Sequence, residues 1–562
     1  MGRARLRVPG ARARPHETPS STRLQTVSAP STRAPTNRPS DEVVLTGHDL
    51  SREVLLAVAG GGCTVRAAEA ALDEVARVHR AAGRVPMAYG RTTGVGALAT
   101  EGVSEAHRRT LPLRLLRSHA SGIGGVLPEE VVRVALVVRA NQLLDAGSGI
   151  SPAVVAALLR AANHPAVPVV HELGGLGTAD LTALAEIGLA LLGEAPWSGA
   201  APEPLSTLEP GDGLALLSSN AVTLARAALG LDRLATVLGS ADAVASLSAT
   251  ALRANPEAFD PRALDRRALD RRALDRRTLD RRTAGARERS AARIRELLAQ
   301  GLRQPSRIQD PYPLRCIPQV HGAAQEALED TWIHVELECN GAAENPLFVS
   351  TRPSGRGAMQ EPSANAPGEA AGEPVSPRDA GADDDGRVEA LHHGGFLALS
   401  ATLSLDRLRA ALLPVALAST GRLGLLVDPS RTGLRPFLAD GEEGSSGVML
   451  AEYVAQAALA RLRWASTPAS GWPVSISLGI ETLASWLPLS VEQLELASTS
   501  LAQVLAAELL AAARANRQSG HPLGPDLARL LSVEHTASGS RDEDAPLGAA
   551  IEALALAIGR GL

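Results

Sequence analysis

Lysine is absent from this 562-residue chain, and all 56 basic residues are arginine. That excludes a Schiff base to pyridoxal phosphate on the chain itself, and it excludes the lysine of a phosphate-binding P-loop. An enzyme of this composition that expels an amine needs another electron sink. Aromatic residues make up only 2% of the chain, so a core must be built from Leu, Ala and Val, which favours helices. Cysteine is scarce. Cys63, Cys316 and Cys339 are too scattered for a disulfide framework or a zinc site, and they fit a reducing cytoplasm. The net charge of -5 offers no general attraction to nucleic acid. No run of 18 or more predominantly apolar residues is free of charge, so no membrane span is expected. The first 40 residues are rich in Arg, Pro, Ser and Thr, with Glu17 the only acid and no apolar signal core. A disordered tail is expected there, with a transit peptide as the alternative reading of the composition.

What is present is helical. Residues 41–210 mix short helical patterns, notably 131–144 and 181–192, with Gly-rich loops. Residues 211–255, 388–426, 445–465 and 490–515 are Ala/Leu-rich on several faces, as helices in the centre of a large bundle are. The expectation is a mainly α protein: a bundle of long central helices over residues 211–515, a smaller mixed N-terminal region and a C-terminal helical region at 516–562. Two segments read as insertions. Residues 262–282 repeat Arg-Ala-Leu-Asp-Arg, with nine arginines in 21 residues. Leucines spaced by five make no single helical stripe. A solvated or disordered insert is therefore preferred to a nucleic-acid patch. Residues 351–387 are rich in Gly, Pro, Ala and Asp and read as a disordered loop.

Three stretches carry chemistry. Residues 89–96 read Tyr-Gly-Arg-Thr-Thr-Gly-Val-Gly, residues 175–185 read Gly-Leu-Gly-Thr-Ala-Asp-Leu-Thr-Ala-Leu-Ala, and residues 309–316 read Gln-Asp-Pro-Tyr-Pro-Leu-Arg-Cys. Two of the three tyrosines in the chain, Tyr89 and Tyr312, lie in them. Read without any comparison, residues 173–180 are a Gly-rich turn before a helix, with Asp180 and Thr178 as suitable N-caps. His392-His393 has no third ligand in view and is not expected to hold a metal.

In this order the stretches resemble the histidine and aromatic amino acid ammonia-lyase family. The resemblance runs from about Val43 to Leu494, interrupted by the two inserts, and what it implies is as follows. That family builds an electrophile, methylideneimidazolone, from an internal Ala-Ser-Gly. The glycine nitrogen attacks the alanine carbonyl and two waters leave. The matching residues are Gly177, Thr178 and Ala179, so the expected cofactor is internal and none is external. Thr178 would put a methyl group on the carbon to be attacked, and Ala179 adds a Cβ where glycine is usual. Tyr89 matches the base that removes the β-proton, a role that needs a neighbouring positive field. Tyr312 matches the second active-site tyrosine. Arg315 matches the arginine whose planar fork grips the substrate carboxylate. His119, in Ser118-His119-Ala120, lines the ring pocket. Asn141, which follows Arg139 in the family-like pattern, and Asn345 are further substrate-binding candidates, and Asn340 also matches.

Other positions depart from the pattern. Ser218 stands where an asparagine is usual and Arg461 where a glutamate used in histidine recognition is usual, and the asparagine of a Gly-Gly-Asn-Phe-His stretch is lost at Gly395-Phe396-Leu397. Ile480-Glu481-Thr482-Leu483 stands for Gln-Glu-Asp-His. Two readings stay open. One is α,β-elimination of ammonia from an aromatic or histidine-like amino acid, giving an α,β-unsaturated acid. The other is a member without the electrophile that binds carboxylates, catalyses another reaction or serves as a partner subunit. The resemblance implies a homotetramer, or a hetero-oligomer with an active paralogue, with an amino acid or carboxylate as ligand.

Overall fold

The computed structural model describes residues 42–263, 285–299, 301, 304–351, 387–539 and 544–562. The N-terminal tail, most of the Arg-rich repeat and nearly all of the 351–387 loop lie outside these residues.

Helices dominate. Those of eight or more residues are α1 (Arg52–Ala59), α2 (Glu69–Ala82), α3 (Leu111–His119), α4 (Glu129–Leu144), α5 (Pro152–Ala162), α6 (Leu181–Leu191), α7 (Ala221–Ala251), α8 (Ala286–Leu298), α9 (Ile317–Cys339), α10 (Leu399–Val427), α11 (Met449–Ala465), α12 (Leu487–Ser519), α13 (Pro525–Ser538) and α14 (Gly548–Arg560). At 1.5 Å per residue, α7 and α12 each run for about 45–50 Å. They pack on each other, and α9, α10 and α11 complete the bundle around them. Their Ala/Leu sequences explain the arrangement: Leu501, Val504, Leu505, Ala506 and Leu509 are buried on successive sides of α12, which only a helix in the middle of a bundle can satisfy.

Strands are short and occur in pairs. β1 (Glu42–Leu45) is parallel to β2 (Thr64–Ala67), with Glu42 opposite Thr64. β3 (Ile123–Val126) is antiparallel to β4 (His171–Leu173), with an irregular register. β5 (Leu347–Ser350) is antiparallel to β6 (Val388–Leu391). The last pair corrects the helical reading of residues 388–398. β6 and a loop precede α10, because Val388 to Leu391 finds an edge partner in β5.

With no lysine, the bundle uses arginine forks inside. Arg422 on α10 pairs with Glu508 on α12 at 2.6 and 2.9 Å, both fully buried, and Ser248 on α7 donates to the same carboxylate. Arg409 bonds Asp406, Ser490, Gln493 and the Ala465 carbonyl. Several acceptors around one planar guanidinium are a geometry that lysine cannot match.

No membrane-length run is free of charge, yet by length and mean hydropathy alone some helices reach the spanning range. Three stretches reach that length and mean hydropathy, Asp212–Ala251, Leu399–Val427 and Leu487–Ser519. Isolated charges, among them Arg226, Arg422 and Glu508, interrupt each of them. In the first and third, 94% and 78% of the most apolar window is buried inside the fold, but only 44% in Leu399–Val427. That helix leaves Leu403 and Leu417 exposed.

Candidate active site

The altered tripeptide lies in a bend between β4 and α6. Gly177 has φ +83° and Ala179 has φ +108°, a region that L-residues with a Cβ rarely occupy. The bend is tied at both ends. Trp486 N donates to Leu176 O at 2.9 Å, and Asp180 N donates to Ser219 O at 2.7 Å. Gly177 and Ala179 are buried and Thr178 is half-buried. A Cβ at Gly177 would collide with Ser485 Oγ and stand 2.9 Å from two backbone nitrogens at the start of α12. The small residue is therefore required by its surroundings.

Asp180 occupies the N-cap position of α6 but makes no side-chain bond to that helix. The N-cap position read from the sequence is thus the observed one for Asp180, without the side-chain cap bond. The Asp180 carboxylate instead accepts from Thr223 N (2.8 Å) and Thr223 Oγ1 (2.6 Å), in the first turn of α7. Burial pushes the Asp180 carboxyl up to about 6, with the Thr223 bonds, the Val222 amide and Arg226 acting the other way. The exposed amides of a long helix N-terminus are a better partner for a buried acid than its own short helix.

Tyr89 is half-buried, and its phenol oxygen accepts from Gly96 N at 2.6 Å. Ser477 holds the same loop by accepting from Ala97 N at 3.2 Å. Gly90, at φ +65°, has no room for a side chain because Leu214 packs against it. Tyr89 N donates to His392 Nε2 at 3.3 Å, and His393 N donates to Asn345 Oδ1 at 3.0 Å. The histidine pair thus positions backbone, and among the described residues no three His, Cys, Asp or Glu gather for a metal.

Tyr89 lines a narrow crevice, with free space of only about 10 Å³, together with Arg91, Ser148, Glu344, Asn345 and Phe348. Behind it Arg139, fully buried, pairs with Glu344 at 2.9 Å and also donates to Leu216 O, Ala215 O and Gln142. Burial pushes Glu344 upward against the pull of Arg139, and its Oε2 has no hydrogen-bond partner.

Tyr312 is 69% exposed, and Arg315 lies over its ring at 4.4 Å. Both guanidinium NH groups of Arg315 sit 3.1 Å from the Gln309 side-chain oxygen when that amide faces them. Arg315 Nε is buried without a partner. Arg422 fixes this segment by donating to Pro313 O at 3.0 Å. His119 ends α3, with Nδ1 2.8 Å from Leu115 O. Ser118 Oγ lies 3.0 Å from the same nitrogen, so the ring is anchored through its Nδ1 side.

The chain therefore brings the tripeptide together with Ser219, Thr223 and Ser485, and it brings Tyr89 together with Glu344 and Asn345. Thr178, His119, Tyr312 and Arg315 do not line the Tyr89 cleft. Asn141 is fully buried, and its amide is engaged with Gly47 N, Cys339 O and Asn340 Oδ1. Arg461 is exposed on α11.

Sequence reasoning missed Asn220, Glu344 and Ser485. Asn220 begins α7 two residues after Ser218. It donates to Phe396 O at 2.6 Å, and its Oδ1 is buried without a partner. The only sequence signal for it was an asparagine shifted by two from the position where one was sought.

The sequence matches the aromatic amino acid lyase family model over residues 50–532. It is 30% identical to a histidine ammonia-lyase of Caldanaerobacter subterraneus subsp. tengcongensis, covering 84% of this chain and 88% of that one. It is 33% identical to a histidine ammonia-lyase of Stigmatella aurantiaca, covering 84% and 86%. Among solved structures, the ergothionase of Treponema denticola matches with a TM-score of 0.78 at 22% identity, covering 92% and 98%. A tyrosine aminomutase of Streptomyces globisporus matches with a TM-score of 0.77 at 22% identity, covering 92% and 97%.

Proposed function

The chain belongs to the aromatic amino acid lyase family, and from that premise we propose that it is a carbon–nitrogen lyase. It removes ammonia from an aromatic or histidine-like α-amino acid and gives an α,β-unsaturated acid. The observation that carries this reading is the tripeptide bend. Position 179 keeps a backbone suited to glycine although the residue is alanine, and the segment is tied down on both sides. The residues present thus fit an internal electrophile. Once formed, that group supplies the electron sink that a chain without lysine lacks.

The chain's own residues do the rest. Arg315 holds the substrate carboxylate with a fork already stacked on Tyr312 and edged by Gln309, and Tyr312 closes the site. His119 presents Nε2 to the substrate ring. Tyr89 takes the β-proton, with the Gly96 amide directed at its oxygen. Asn345 supports the Tyr89 side of the site through His393. Asn141 acts from behind, by tying Gly47 to the end of α9. Long similarity to curated histidine ammonia-lyases favours elimination over a non-catalytic role.

Tyr312 and the apolar residues Leu403, Leu417, Leu450 and Tyr453 are exposed in the single chain. The reading has copies of this chain cover them in a homotetramer, a soluble cytoplasmic enzyme in which different copies complete each site. The test is a panel of amino acids assayed for ammonia release and for the ultraviolet absorbance of a conjugated acid. Tyr89→Phe is expected to lower turnover by about 10²-fold or more, the scale of a lost general base. Unchanged turnover in that variant would remove Tyr89 from its role.

A further inference from the structure

The carbonyl of Gly177 carries a buried hydroxyl. Ser485 Oγ is fully buried and donates to Gly177 O at 2.8 Å. Leu487 N points at the same Oγ from 3.4 Å, which leaves the hydroxyl proton committed to the carbonyl. Ser485 stands two residues before α12, whose N-terminal amides carry positive partial charge, and Trp486 N holds the preceding carbonyl, Leu176 O.

Glycine at position 177 is what admits this contact, since a Cβ there would fall where Ser485 Oγ sits. The departure at position 177 and the serine 308 residues away are two halves of one arrangement. The nucleophile side is fixed as well: the peptide after Ala179 is anchored by Asp180 N to Ser219 O. Two tethered ends and a donor already on the electrophilic carbonyl are what an intramolecular acyl addition needs.

We infer that Ser485 is a catalytic residue of the segment's own ring closure, an oxyanion donor to Gly177 O. The inference rests on the reading that Gly177-Thr178-Ala179 cyclises. In the step, Ala179 N attacks the Gly177 carbonyl carbon and the C–N bond forms. The C=O electron pair moves onto the oxygen that Ser485 O–H already faces, and the Ala179 amide proton ends on that oxygen. This hydroxyl then leaves as water with the Thr178 amide proton, creating a C=N bond between Gly177 C and Thr178 N. Thr178 Oγ1 leaves as a second water with the Thr178 Cα hydrogen. Two waters balance the step, and no oxidant or co-reactant is used.

The test follows the mass of the peptide spanning residues 173–185 over time in freshly synthesised full-length protein. It compares the native chain, Ser485→Ala and Ser485→Cys, each also in a Thr178→Ser/Ala179→Gly background. Melting temperature and oligomeric state are measured alongside. Ser485→Ala is expected to lose its waters on the order of 10²-fold more slowly, as when an oxyanion donor is removed, with an unchanged melting temperature. Ser485→Cys should fall between. Dehydration of Ser485→Ala at the native rate overturns the inference while leaving the electrophile reading intact. If Ser485→Ala does not fold, Ser485→Cys decides in the same way. If only the Thr178→Ser/Ala179→Gly background dehydrates, the electrophile reading of the native chain falls, and the serine comparison within that background decides the role of Ser485. Full-mass peptide in every case overturns both.

Discussion

Ala179 holds a backbone angle suited to glycine, and that is a testable liability. Relief of an unfavourable positive φ is worth about 1–3 kcal/mol, against an entropic cost of about 0.5–1 kcal/mol for introducing glycine. Ala179→Gly is therefore expected to raise stability by about 1 kcal/mol and to leave the tripeptide peptide fully dehydrated. A lower melting temperature would show that the alanine side chain is held favourably. Asp180 gives a second handle. Its folded pKa of about 6 lies above its ordinary value of 3.8, so the folded chain binds more protons between those values than the unfolded chain does. The contribution of this group to stability is greatest below pH 4. It declines as pH rises to about 6 by roughly 2–3 kcal/mol and is flat above. Asp180→Asn should flatten that slope in denaturant titrations at pH 4 to 7, and an identical slope would contradict the assignment. At this scale the sequence was only partly legible. Tyr89, Tyr312 and Arg315 stood out because their neighbours form recognisable strings. Ser485 and Glu344 did not, because their roles depend on contacts hundreds of residues away. Asp180 was read locally as a cap, when the helix it serves begins 41 residues later.

At the scale of elements, Arg422–Glu508 clamps α10 to α12, and with Ser248 it reaches α7. Removing one partner strands a buried charge. Arg422→Met or Glu508→Gln alone should cost about 3–5 kcal/mol, whereas Arg422→Met with Glu508→Leu should recover most of it. Urea unfolding of the singles and the double reads this directly, and singles costing under about 1 kcal/mol would contradict a dry pair. The helices themselves were easy to read, since Ala and Leu without β-branched runs leave few other options over residues 221–251 and 487–519. Residues 388–391 were not, because a four-residue strand exists only through its partner at 347–350, and a short apolar run does not announce its partner.

At the scale of the molecule, the residues proposed to carry the chemistry lie apart within one chain. Tyr89 lines one cleft, Tyr312 and Arg315 sit at an open surface, and the tripeptide lies against the N-termini of α7 and α12. Copies of the chain reunite them in the proposed tetramer. Leu403→Glu with Leu417→Glu on the open face of α10 should shift the protein to smaller species in analytical ultracentrifugation. Turnover should fall by at least about 10-fold, on the scale of catalytic groups no longer held in place, while helical circular dichroism is retained. An intact assembly with both charges present would mean that this face meets solvent. Composition conveyed the bundle, but not which long helix leaves a side bare, since burial of α7, α10 and α12 differs while their composition does not.

Whether the altered tripeptide becomes an electrophile is read from the mass of the peptide spanning residues 173–185 in purified native protein. The expected peptide is lighter than its sequence by two water molecules. A peptide at its full sequence mass would show that Gly177-Thr178-Ala179 does not cyclise.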